Sequence, residues 1–336
     1  MNLMKTLTLE EPFELESGNI INNPIIAYHT YGVFNPNRNN VIWVFHALTA
    51  NSDVVDWWPS LVGYDKAINP ENHFIVCANV LGSVYGTTGP RSKNIHTGEP
   101  FGMTFPQFTV RDVVGLQLKL AERLNITQIK MLIGGSFGGF QALEFALMYK
   151  GTISHLTLIA TSAKETAWSI AIHESQRLTL MADRTLYENE SDSGDSGLKA
   201  ARAIGLLTYR TYEAYVALQT DEDERIENFK AASYIQYQGD KLVNRFHAHS
   251  YWFLTKCLDS HNIGRGRGGV IKVLESITIP SLVISLSTDR LVPPAEQKFM
   301  ADHINGAEYH VVHSDYGHDG FLIEGDQIAQ VVLPYV

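Results

Sequence analysis

The stretch from Met131 to Ala146 constrains the fold of this chain more than any other. It begins as a short apolar run, passes through a group of glycines around Ser136 and continues with residues that favour helix. Gly134-Gly-Ser-Phe-Gly138 fits the pattern G-x-S-x-G, in which a strand turns directly into a helix. Side chains in place of the glycines would collide in so tight a turn. The pattern predicts a serine hydroxyl raised above a sheet; an ordinary glycine-rich turn is the alternative.

Apolar runs and amphipathic segments alternate on both sides of this turn. Thr109 is a predicted N-cap for a helix that continues to Leu124, and two more helices are predicted from Ala295 to Ile304 and from Asp326 onward. Strands that alternate with helices form mostly parallel sheets with helices on both faces. Because the G-x-S-x-G turn in addition resembles the nucleophile elbow of α/β hydrolases, we expect the α/β-hydrolase fold. The runs that predict strands are 41–45, 74–78, 129–133, 153–160, 279–285 and 308–312.

Two regions depart from this alternation. Residues 7–31 alternate apolar and polar positions around Ser17-Gly-Asn19, which predicts a leading antiparallel hairpin between 13–16 and 25–28. Residues 164–264 are polar and helical in pattern, with acidic stretches at 188–197 and 221–225 that we interpret as solvated. We therefore predict a core domain of residues 1–163 and 265–336, into which residues 164–264 are inserted as a helical lid.

Composition limits the partners and the compartment. Hydrophobic residues make up 45% of the 336 residues and charged residues 18%, as in a compact globular protein. A net charge of -10 argues against nucleic acid and anionic lipid as partners. Two cysteines, Cys77 and Cys257, make no disulfide framework, and no apolar run reaches ~20 residues. The first residues have no apolar run typical of a signal peptide, so none is expected. We expect a cytoplasmic protein without a membrane span.

A serine hydroxyl needs a neighbouring base, and that base needs a carboxylate to hold it. In this fold the order along the chain is Ser, acid, His, each after a strand. Asp289 follows the strand predicted to end at Leu286, and His318 follows the strand predicted to end at Val312. The rivals are less well placed, because His313 is too close to its strand and Asp315 lies on the loop of His318. Ser136, Asp289 and His318 are the predicted catalytic residues; a helix cap at Asp289 and a surface turn at His318 are the alternative.

The negative charge that develops during attack on a carbonyl needs two N–H donors. The backbone N–H of Phe137, directly after the serine, is one candidate. The backbone N–H of Leu48, in the loop after the strand 41–45, is the other. His46 at the start of that loop is interpreted as a structural hydrogen-bonding residue rather than a catalytic one.

Metal and nucleotide sites lack their usual patterns. His247-Ala-His249 has no third ligand at useful spacing, and neither cysteine belongs to a C-x-x-C pair, so no metal is expected. No G-x-x-x-x-G-K-[ST] phosphate loop is present either. Arg265-Gly-Arg-Gly-Gly269 is interpreted as a tight segment that returns the chain from lid to sheet, with an RNA-binding tract as the alternative.

Five stretches in order make the chain resemble the homoserine O-acetyltransferases, which are acyl-CoA-dependent enzymes of this fold. These stretches are 46–49, 79–90, 134–144, 264–269 and 316–324. The resemblance implies the same three catalytic residues and the same two N–H donors. It further implies that Arg202 and Tyr209 bind the carboxylate of an amino-acid acceptor and that Asp319 binds its ammonium group. It also implies acetyl-CoA as co-substrate without a further cofactor, and a homodimer formed through the lid helices.

Two positions depart from the family pattern. Members usually carry Met directly after the nucleophile and again three residues later, where this chain has Phe137 and Phe140. The lid also looks short for the family. The backbone N–H after the nucleophile is present with either side chain, so the two phenylalanines do not affect that donor. They bear on the shape of the acyl pocket. The choice between an acetyl and a succinyl donor stays open at this stage.

The resulting hypothesis is an acyl-CoA:L-homoserine O-acyltransferase of methionine biosynthesis, which works by a ping-pong mechanism through acyl-Ser136. The alternatives are the same chemistry with succinyl-CoA or with L-serine, a plain serine esterase, and a catalytically inactive binding module. The phosphates of CoA would need cations near the site, and Arg91 and Lys93 are the candidates.

Overall fold

The computed structural model describes residues 3–336, and its centre is one eight-stranded sheet. The spatial order of the strands is β1-β4-β6-β5-β8-β10-β11-β12. The six strands from β6 to β12 in this order are parallel, and β4 is antiparallel to both of its neighbours. The ranges are β1 Lys5–Thr8, β4 Ile25–Tyr31, β5 Val41–Phe45, β6 Phe74–Ala78, β8 Met131–Gly135, β10 Leu156–Ile159, β11 Ser281–Leu286 and β12 Glu308–Val312.

Two small sheets accompany the large one. The first pairs β2 (Phe13–Glu14) with β3 (Ile20–Ile21), and the second pairs β7 (Gln128–Ile129) with β9 (Thr152–Ile153). The α/β-hydrolase fold predicted from the sequence is confirmed by the parallel sheet with helices on both faces.

Twelve α-helices surround or extend the sheet over residues 3–336. Their ranges are α1 Val54–Trp57, α2 Val110–Arg123, α3 Phe137–Met148, α4 Ala167–Ala182, α5 Asp195–Tyr209, α6 Tyr212–Gln219, α7 Lys230–Val243, α8 Ala248–Asp259, α9 Val270–Glu275, α10 Pro294–His303, α11 Gly320–Ile323 and α12 Gly325–Val332. Short 3₁₀ turns span Gly102–Thr104, Arg184–Tyr187, Gly317–Asp319 and Leu333–Tyr335. None of these helices is both long enough and apolar enough to cross a lipid bilayer.

The helix predicted after Thr109 illustrates how local sequence decides an element. The Thr109 side chain accepts the N–H of Asp112, and the Asp112 carboxylate accepts the N–H of Thr109, which forms a capping box. The helix ends at Arg123, one residue before the predicted end. Val113, Leu116 and Leu120 are buried against the sheet, as their spacing predicts.

The N-terminal hairpin was predicted with the wrong partner. The turn at Ser17-Gly-Asn19 does join two antiparallel strands, but these are β2 and β3, each two residues long. The β4 strand instead pairs with β1, where Lys5 faces Tyr28, and with β6. Alternating hydrophobicity identifies a half-buried strand and does not identify which neighbour completes its hydrogen bonds.

Three other strand boundaries also differ from the prediction. The run 129–133 begins in β7 and continues in β8, which belongs to a different sheet and ends at Gly135. The run 153–160 divides into β9 and β10, which belong to different sheets. The strand predicted from residue 279 begins at Ser281. Pro280 has no N–H to donate to a neighbouring strand, so the regular ladder starts after it.

Apolar side chains fill both faces of the sheet. Successive residues of β5 point in opposite directions, so Trp43 and Phe45 join one core while Ile42 and Val44 join the other. All five residues of β5 are buried, as a parallel strand covered on both faces requires. These two cores hold the carboxyl ends of the strands in a fixed arrangement.

Five helices, α4 to α8, lie in the segment predicted to be a lid. The chain enters and leaves this segment at one place, where Lys164 and Asn262 form an antiparallel bridge. The Phe246, Tyr251 and Leu254 side chains join the same buried cluster as the core strands. The helical content agrees with the prediction, while the division into domains at residues 164 and 264 stays a prediction.

Candidate active site

Ser136 lies on the sharp turn between β8 and α3. Its φ of 55° and ψ of -124° are strained for a residue with a side chain. Packing enforces the turn, since a Cβ at Gly138 would overlap the carbonyl oxygen of Phe45, and one at Gly134 would overlap the Gly138 backbone. The Ser136 N–H is held by the carbonyl oxygen of Ile159 at 2.9 Å. The hydroxyl is therefore raised above the carboxyl end of the sheet.

His318 and Asp289 complete a hydrogen-bonded chain with this serine. The Ser136 hydroxyl donates to His318 Nε2 at 2.7 Å, and His318 Nδ1–H donates to Asp289 Oδ2 at 2.6 Å. The other oxygen of Asp289 accepts the backbone N–H groups of Leu291 and Val292, each at 2.9 Å. The carboxylate is thus fixed from both sides. The structure brings the three predicted residues together in the arrangement that activates a serine; their catalytic role stays a prediction.

The electrostatic surroundings of His318 suit a general base. Burial by itself would lower the pKa of the imidazole, but the charge and hydrogen bond of Asp289 outweigh it and raise the pKa above the ordinary value. The negative charges of Asp319 and Glu165 act in the same direction. A base with a raised pKa holds the serine proton more firmly during attack.

The rival residues occupy other environments. His313 and Asp315 are exposed and lie away from Ser136 in the hydrogen-bond network. His46 is fully buried, accepts the N–H of Val80 at Nε2 and contacts the carbonyl oxygen of Ala47 at Nδ1. Burial lowers its pKa to about 4, so it is neutral and structural, as interpreted from the sequence.

Two backbone N–H groups near the serine have no protein acceptor among residues 3–336. Phe137 is the first residue of α3, so its N–H has no partner within the helix. Leu48 follows β5 and lines the same cavity as Ser136. Both N–H groups are available to a carbonyl oxygen, as the oxyanion prediction requires.

The hydroxyl opens into a cavity of about 400 Å³ between the sheet and helices α4, α5, α7 and α8. Its wall combines apolar side chains with a small number of charged and polar groups. The lining residues are Ala47, Leu48, Thr49, Ala50, Asn51, Asp56, Trp57, Tyr85, Ser136, His173, Arg202, Tyr209, Lys241, Arg245, Leu258, Leu291, His318, Asp319, Phe321 and Leu322.

The three residues expected to bind an amino acid all line this cavity. The Arg202 guanidinium lies 5.7 Å from the ring centroid of Tyr209, and that ring lies 6.1 Å from the ring of His318. Arg202 forms no ion pair within residues 3–336, so its charge is free for a carboxylate. Asp319 directly follows the base in the sequence, and its carboxylate lines the cavity together with that of Asp56.

Arg210 is a residue of the site that the sequence reasoning missed. Its Nε donates to Asp319 Oδ2 at 3.1 Å, and its guanidinium lies 5.4 Å from the ring centroid of Tyr234. One oxygen of Asp319 therefore already has a cationic partner. The position next to Tyr209 in the sequence is the signal that would have pointed to Arg210.

His173 also lines the cavity without having been predicted. Its Nδ1 bonds to Asp259 at 2.8 Å, and the second oxygen of Asp259 bonds to buried Arg177 at 2.6 Å. No short motif joins these residues, because His173 lies on α4 and Asp259 at the end of α8. Only the packing of the two helices brings them together.

The two phenylalanines that depart from the family pattern do not line the cavity. Phe137 is fully buried in the core, and Phe140 stacks on His261 with ring centroids 3.9 Å apart. Phe140 therefore contributes to the packing of α3 against the end of the helical segment. The wall next to Ser136 is formed by other side chains.

Three further sequence expectations concern side chains away from the cavity. Arg91 donates to the carbonyl oxygens of Asn189 and Glu190, and neither Arg91 nor Lys93 lines the cavity. His247 and His249 are buried beside each other, and His249 bonds to the carbonyl oxygen of Leu186. No group of three or more His, Cys, Asp or Glu side chains within residues 3–336 is arranged to hold a metal ion.

Comparison with known proteins agrees with this architecture. Residues 40–324 match the family model of the α/β hydrolase fold. The homoserine O-acetyltransferase of Cyclobacterium marinum is 41% identical over 326 residues, which cover 97% of this chain and 93% of that protein. In structure, the homoserine O-acetyltransferase of Bacillus anthracis superposes with a TM-score of 0.92 at 22% identity, covering 99% of this chain and 97% of the other.

An esterase has an equally similar fold. Esterase E22 superposes with a TM-score of 0.91 at 22% identity and covers 100% of both chains. Structural likeness at this level of identity establishes the fold and leaves the acceptor undecided. Sequence identity separates the two, because 41% identity extends over nearly the full length of both chains. The chain therefore belongs to the homoserine O-acetyltransferase family of enzymes within the α/β-hydrolase fold.

Proposed function

We propose that this protein transfers an acetyl group from acetyl-CoA to the hydroxyl of L-homoserine. The observation that carries the proposal is one cavity that is lined by Ser136 and His318 and also by Arg202 and Asp319. Arg202 has no ion-pair partner among residues 3–336. A guanidinium and a carboxylate at such a site match the carboxylate and ammonium of an amino acid. The acetyl donor is taken from the relatives at about 40% identity, which are named homoserine O-acetyltransferase.

In the first half-reaction, Ser136 Oγ attacks the thioester carbonyl while His318 Nε2 takes its proton. The N–H groups of Leu48 and Phe137 bind the oxygen that becomes negative. The carbon–sulfur bond then breaks, His318 returns the proton to the sulfur, and CoA leaves as a thiol. Acetyl-Ser136 remains, with the imidazole neutral again.

In the second half-reaction, Arg202 and Tyr209 bind the acceptor carboxylate and Asp319 binds its ammonium group. His318 takes the proton of the acceptor hydroxyl, whose oxygen attacks the acetyl carbon. The bond to Ser136 Oγ breaks and the serine regains the proton. The product is the O-acetyl ester of the amino acid, and the enzyme returns to its starting state.

Transfer requires that the alcohol outcompete water. Water is present at roughly 55 M, while an alcohol near a typical KM is at ~1 mM or less, so the alcohol must be favoured by more than about 10⁴. Orientation supplies effective molarities of ~10⁵ M and above when both ends of the acceptor are held. The proposed contacts of Arg202 with the acceptor carboxylate and of Asp319 with its ammonium group would hold both ends of the acceptor. These two contacts are the physical reason for proposing a transferase rather than an esterase.

The biological setting follows from the same proposal. O-Acylation activates the homoserine hydroxyl as a leaving group, which fits methionine biosynthesis. The two free, buried cysteines are compatible with a cytoplasmic enzyme. A homodimer through the helices of residues 164–264 is also proposed, because Leu207, Tyr212 and Tyr237 are exposed in the single chain.

The decisive experiment measures free thiol released from acetyl-CoA with and without L-homoserine. We expect release to depend on homoserine and to be much slower with succinyl-CoA or with L-serine. Release that is no faster with homoserine, L-serine or another amino alcohol would end the transferase proposal in favour of an esterase. Ser136→Ala is the control, and no release with the wild type would indicate a binding module.

Arg202→Ala tests the acceptor assignment separately. The substitution removes the cation proposed to bind the acceptor carboxylate, so the KM for homoserine should rise by at least ~10-fold. The KM for acetyl-CoA should change far less. An unchanged acceptor KM would remove Arg202 from the acceptor site.

A further inference from the structure

The cavity has a second group of cations, far less enclosed than Arg202. Lys241, in the last turn of α7, and Arg245, two residues beyond that helix, line the same cavity as Ser136 yet are exposed to solvent. His318, which bonds to Ser136, is buried, whereas Lys241 and Arg245 are exposed. We therefore take the part of the cavity beside His318 as its enclosed end and the part beside Lys241 and Arg245 as its opening. We call Lys241 and Arg245 the rim cations.

The positive charge of the rim cations is not neutralised by the protein. Neither forms an ion pair with a carboxylate anywhere in residues 3–336, although the chain carries an excess of ten negative charges. The Arg245 partners are the carbonyl oxygen and hydroxyl of Thr49 and the hydroxyl of Tyr85, all of them uncharged. Asp56 also lines the cavity but pairs with neither.

The hydrogen bonds of Arg245 also fix its orientation. Three of its five N–H donors are used by Thr49 and Tyr85, so two donors remain for a ligand on a side chain that is already held in place. A guanidinium that is ordered before binding loses less entropy when it binds an anion. An ordered guanidinium with two free donors at a solvent-exposed rim suits a phosphate, because the phosphate can bind there and still keep part of its hydration.

We propose that the rim cations bind the phosphates of the acyl donor, so that CoA lies with its thioester at Ser136 and its nucleotide at the end of α7. This inference rests on the proposed function and adds the orientation of the donor. It replaces Arg91 and Lys93, whose side chains lie outside the cavity. The acceptor, which has no phosphate, is bound by Arg202 and Asp319 at the enclosed end.

The test compares two acyl donors that carry the same acetyl thioester group. Acetyl-CoA carries the phosphates, and S-acetyl-N-acetylcysteamine lacks them. Lys241→Ala should raise the KM for acetyl-CoA by ~10-fold, the loss expected for one charged contact, with little change in kcat. The kcat/KM for the short thioester should stay the same, and the salt dependence with acetyl-CoA should become weaker. Lys241→Arg should restore most of the affinity.

Lys272→Ala serves as the matched control, because Lys272 is an exposed lysine on α9 outside the cavity. It should leave both donors unaffected. Arg245→Gln should reduce the kcat/KM for acetyl-CoA more than the kcat/KM for the short thioester. Because a disturbance of the Thr49 loop would affect both donors equally, the ratio of the two values reports only on binding of the phosphates. An equal loss with both donors, a change confined to the acceptor KM, or a loss with Lys93→Ala in place of Lys241→Ala would overturn the inference.

Failure of the proposed function is recognised separately. If the wild type shows no homoserine-dependent turnover of either thioester, the transferase proposal fails. Calorimetry with adenosine 3′,5′-bisphosphate then decides the rim site by itself. Binding that is weakened in Lys241→Ala supports the site, and binding that is absent or unaltered overturns it.

Discussion

The chemistry of Ser136 depends on the protonation of His318. The imidazole accepts the serine proton only in its neutral form, and Asp289 both orients it and raises its pKa. Burial opposes this shift and is outweighed. The pH at which the rate falls therefore measures how far Asp289 raises the pKa of His318 against the opposing effect of burial.

The rate should therefore fall on the acid side at a pH above the ordinary pKa of histidine. As the pH decreases through the raised pKa, His318 becomes protonated and kcat/KM decreases. Asp289→Asn removes the charge that raises the pKa, so the acid limb should move to lower pH while kcat falls by about 10⁴. A pH–rate profile of both proteins checks this. An acid limb that stays in place in Asp289→Asn would assign it to another group.

Arg210 should set the orientation of Asp319. Its Nε holds one carboxylate oxygen, so removal of the guanidinium leaves Asp319 free to rotate away from the acceptor. Arg210→Met keeps most of the side-chain volume and should raise the KM for homoserine ~10-fold. Arg210→Lys should recover part of the loss. The acceptor KM checks this, with the KM for acetyl-CoA as internal reference; a rise in both would indicate a general disturbance of the site.

At the scale of elements, the buried carboxylate of Glu144 forms an ion pair with residues 264–269, the segment that returns from the helical insertion to the sheet. Glu144 on α3 is 1% exposed and pairs with Arg111 of α2 at 3.2 Å and with Arg267 at 2.7 Å. Nearby, Arg265 pairs with Glu16 at 2.7 Å. The arginines of residues 264–269 thus bind protein carboxylates, as expected of a tight return segment rather than an RNA-binding tract.

Glu144→Gln should lower the free energy of unfolding by about 2 kcal/mol, because it leaves Arg111 and Arg267 without a buried counter-charge. The effect is smaller than for a fully enclosed pair, since both arginines retain some contact with water. Urea unfolding measures it. Glu16→Gln is the control, and its more exposed carboxylate should account for less than about 1 kcal/mol. Equal losses would contradict the importance of the buried position.

At the scale of the whole molecule, the helices α5, α6 and α7 present apolar side chains to solvent. Leu207 is 65% exposed and Tyr212 is 70% exposed in the single chain. The site cavity opens beside α7, so a partner on these helices would lie close to the rim cations. A dimer formed through these helices, as proposed, would therefore place the second chain beside the opening of the cavity.

The wild-type protein should be a dimer in solution, and the Leu207→Asp variant should be a monomer. A charge placed in an apolar contact area loses its hydration without a partner, which disfavours association. Light scattering after gel filtration measures the mass. Ile95→Asp, at an exposed position outside the helical segment, is the control and should leave the dimer intact. A monomeric wild type would contradict the proposal.

Much of the site could be predicted because the fold repeats a local rule. Residues after the carboxyl ends of parallel strands lie at one edge of the sheet, so the order of Asp289 and His318 and their positions after two strands predicted that they lie near Ser136. Their catalytic role stays a prediction. Arg210 and His173 lie on helices that pack over the sheet, where no such rule applies. Their contacts depend on how α4, α5 and α8 cross, which single-sequence patterns do not describe.

Several elements of this fold have local causes that can be read from short stretches of the chain. Glycines impose the turn at Ser136, the pair Thr109 and Asp112 starts α2, and continuous apolar runs make buried strands. Contacts between groups that are distant along the chain follow instead from the three-dimensional packing. It joined Ser136 to His318 across 182 residues and paired β4 with β1. Such contacts depend on the packing of whole layers, because the free energy that selects them is spread over many buried side chains and belongs to no short segment.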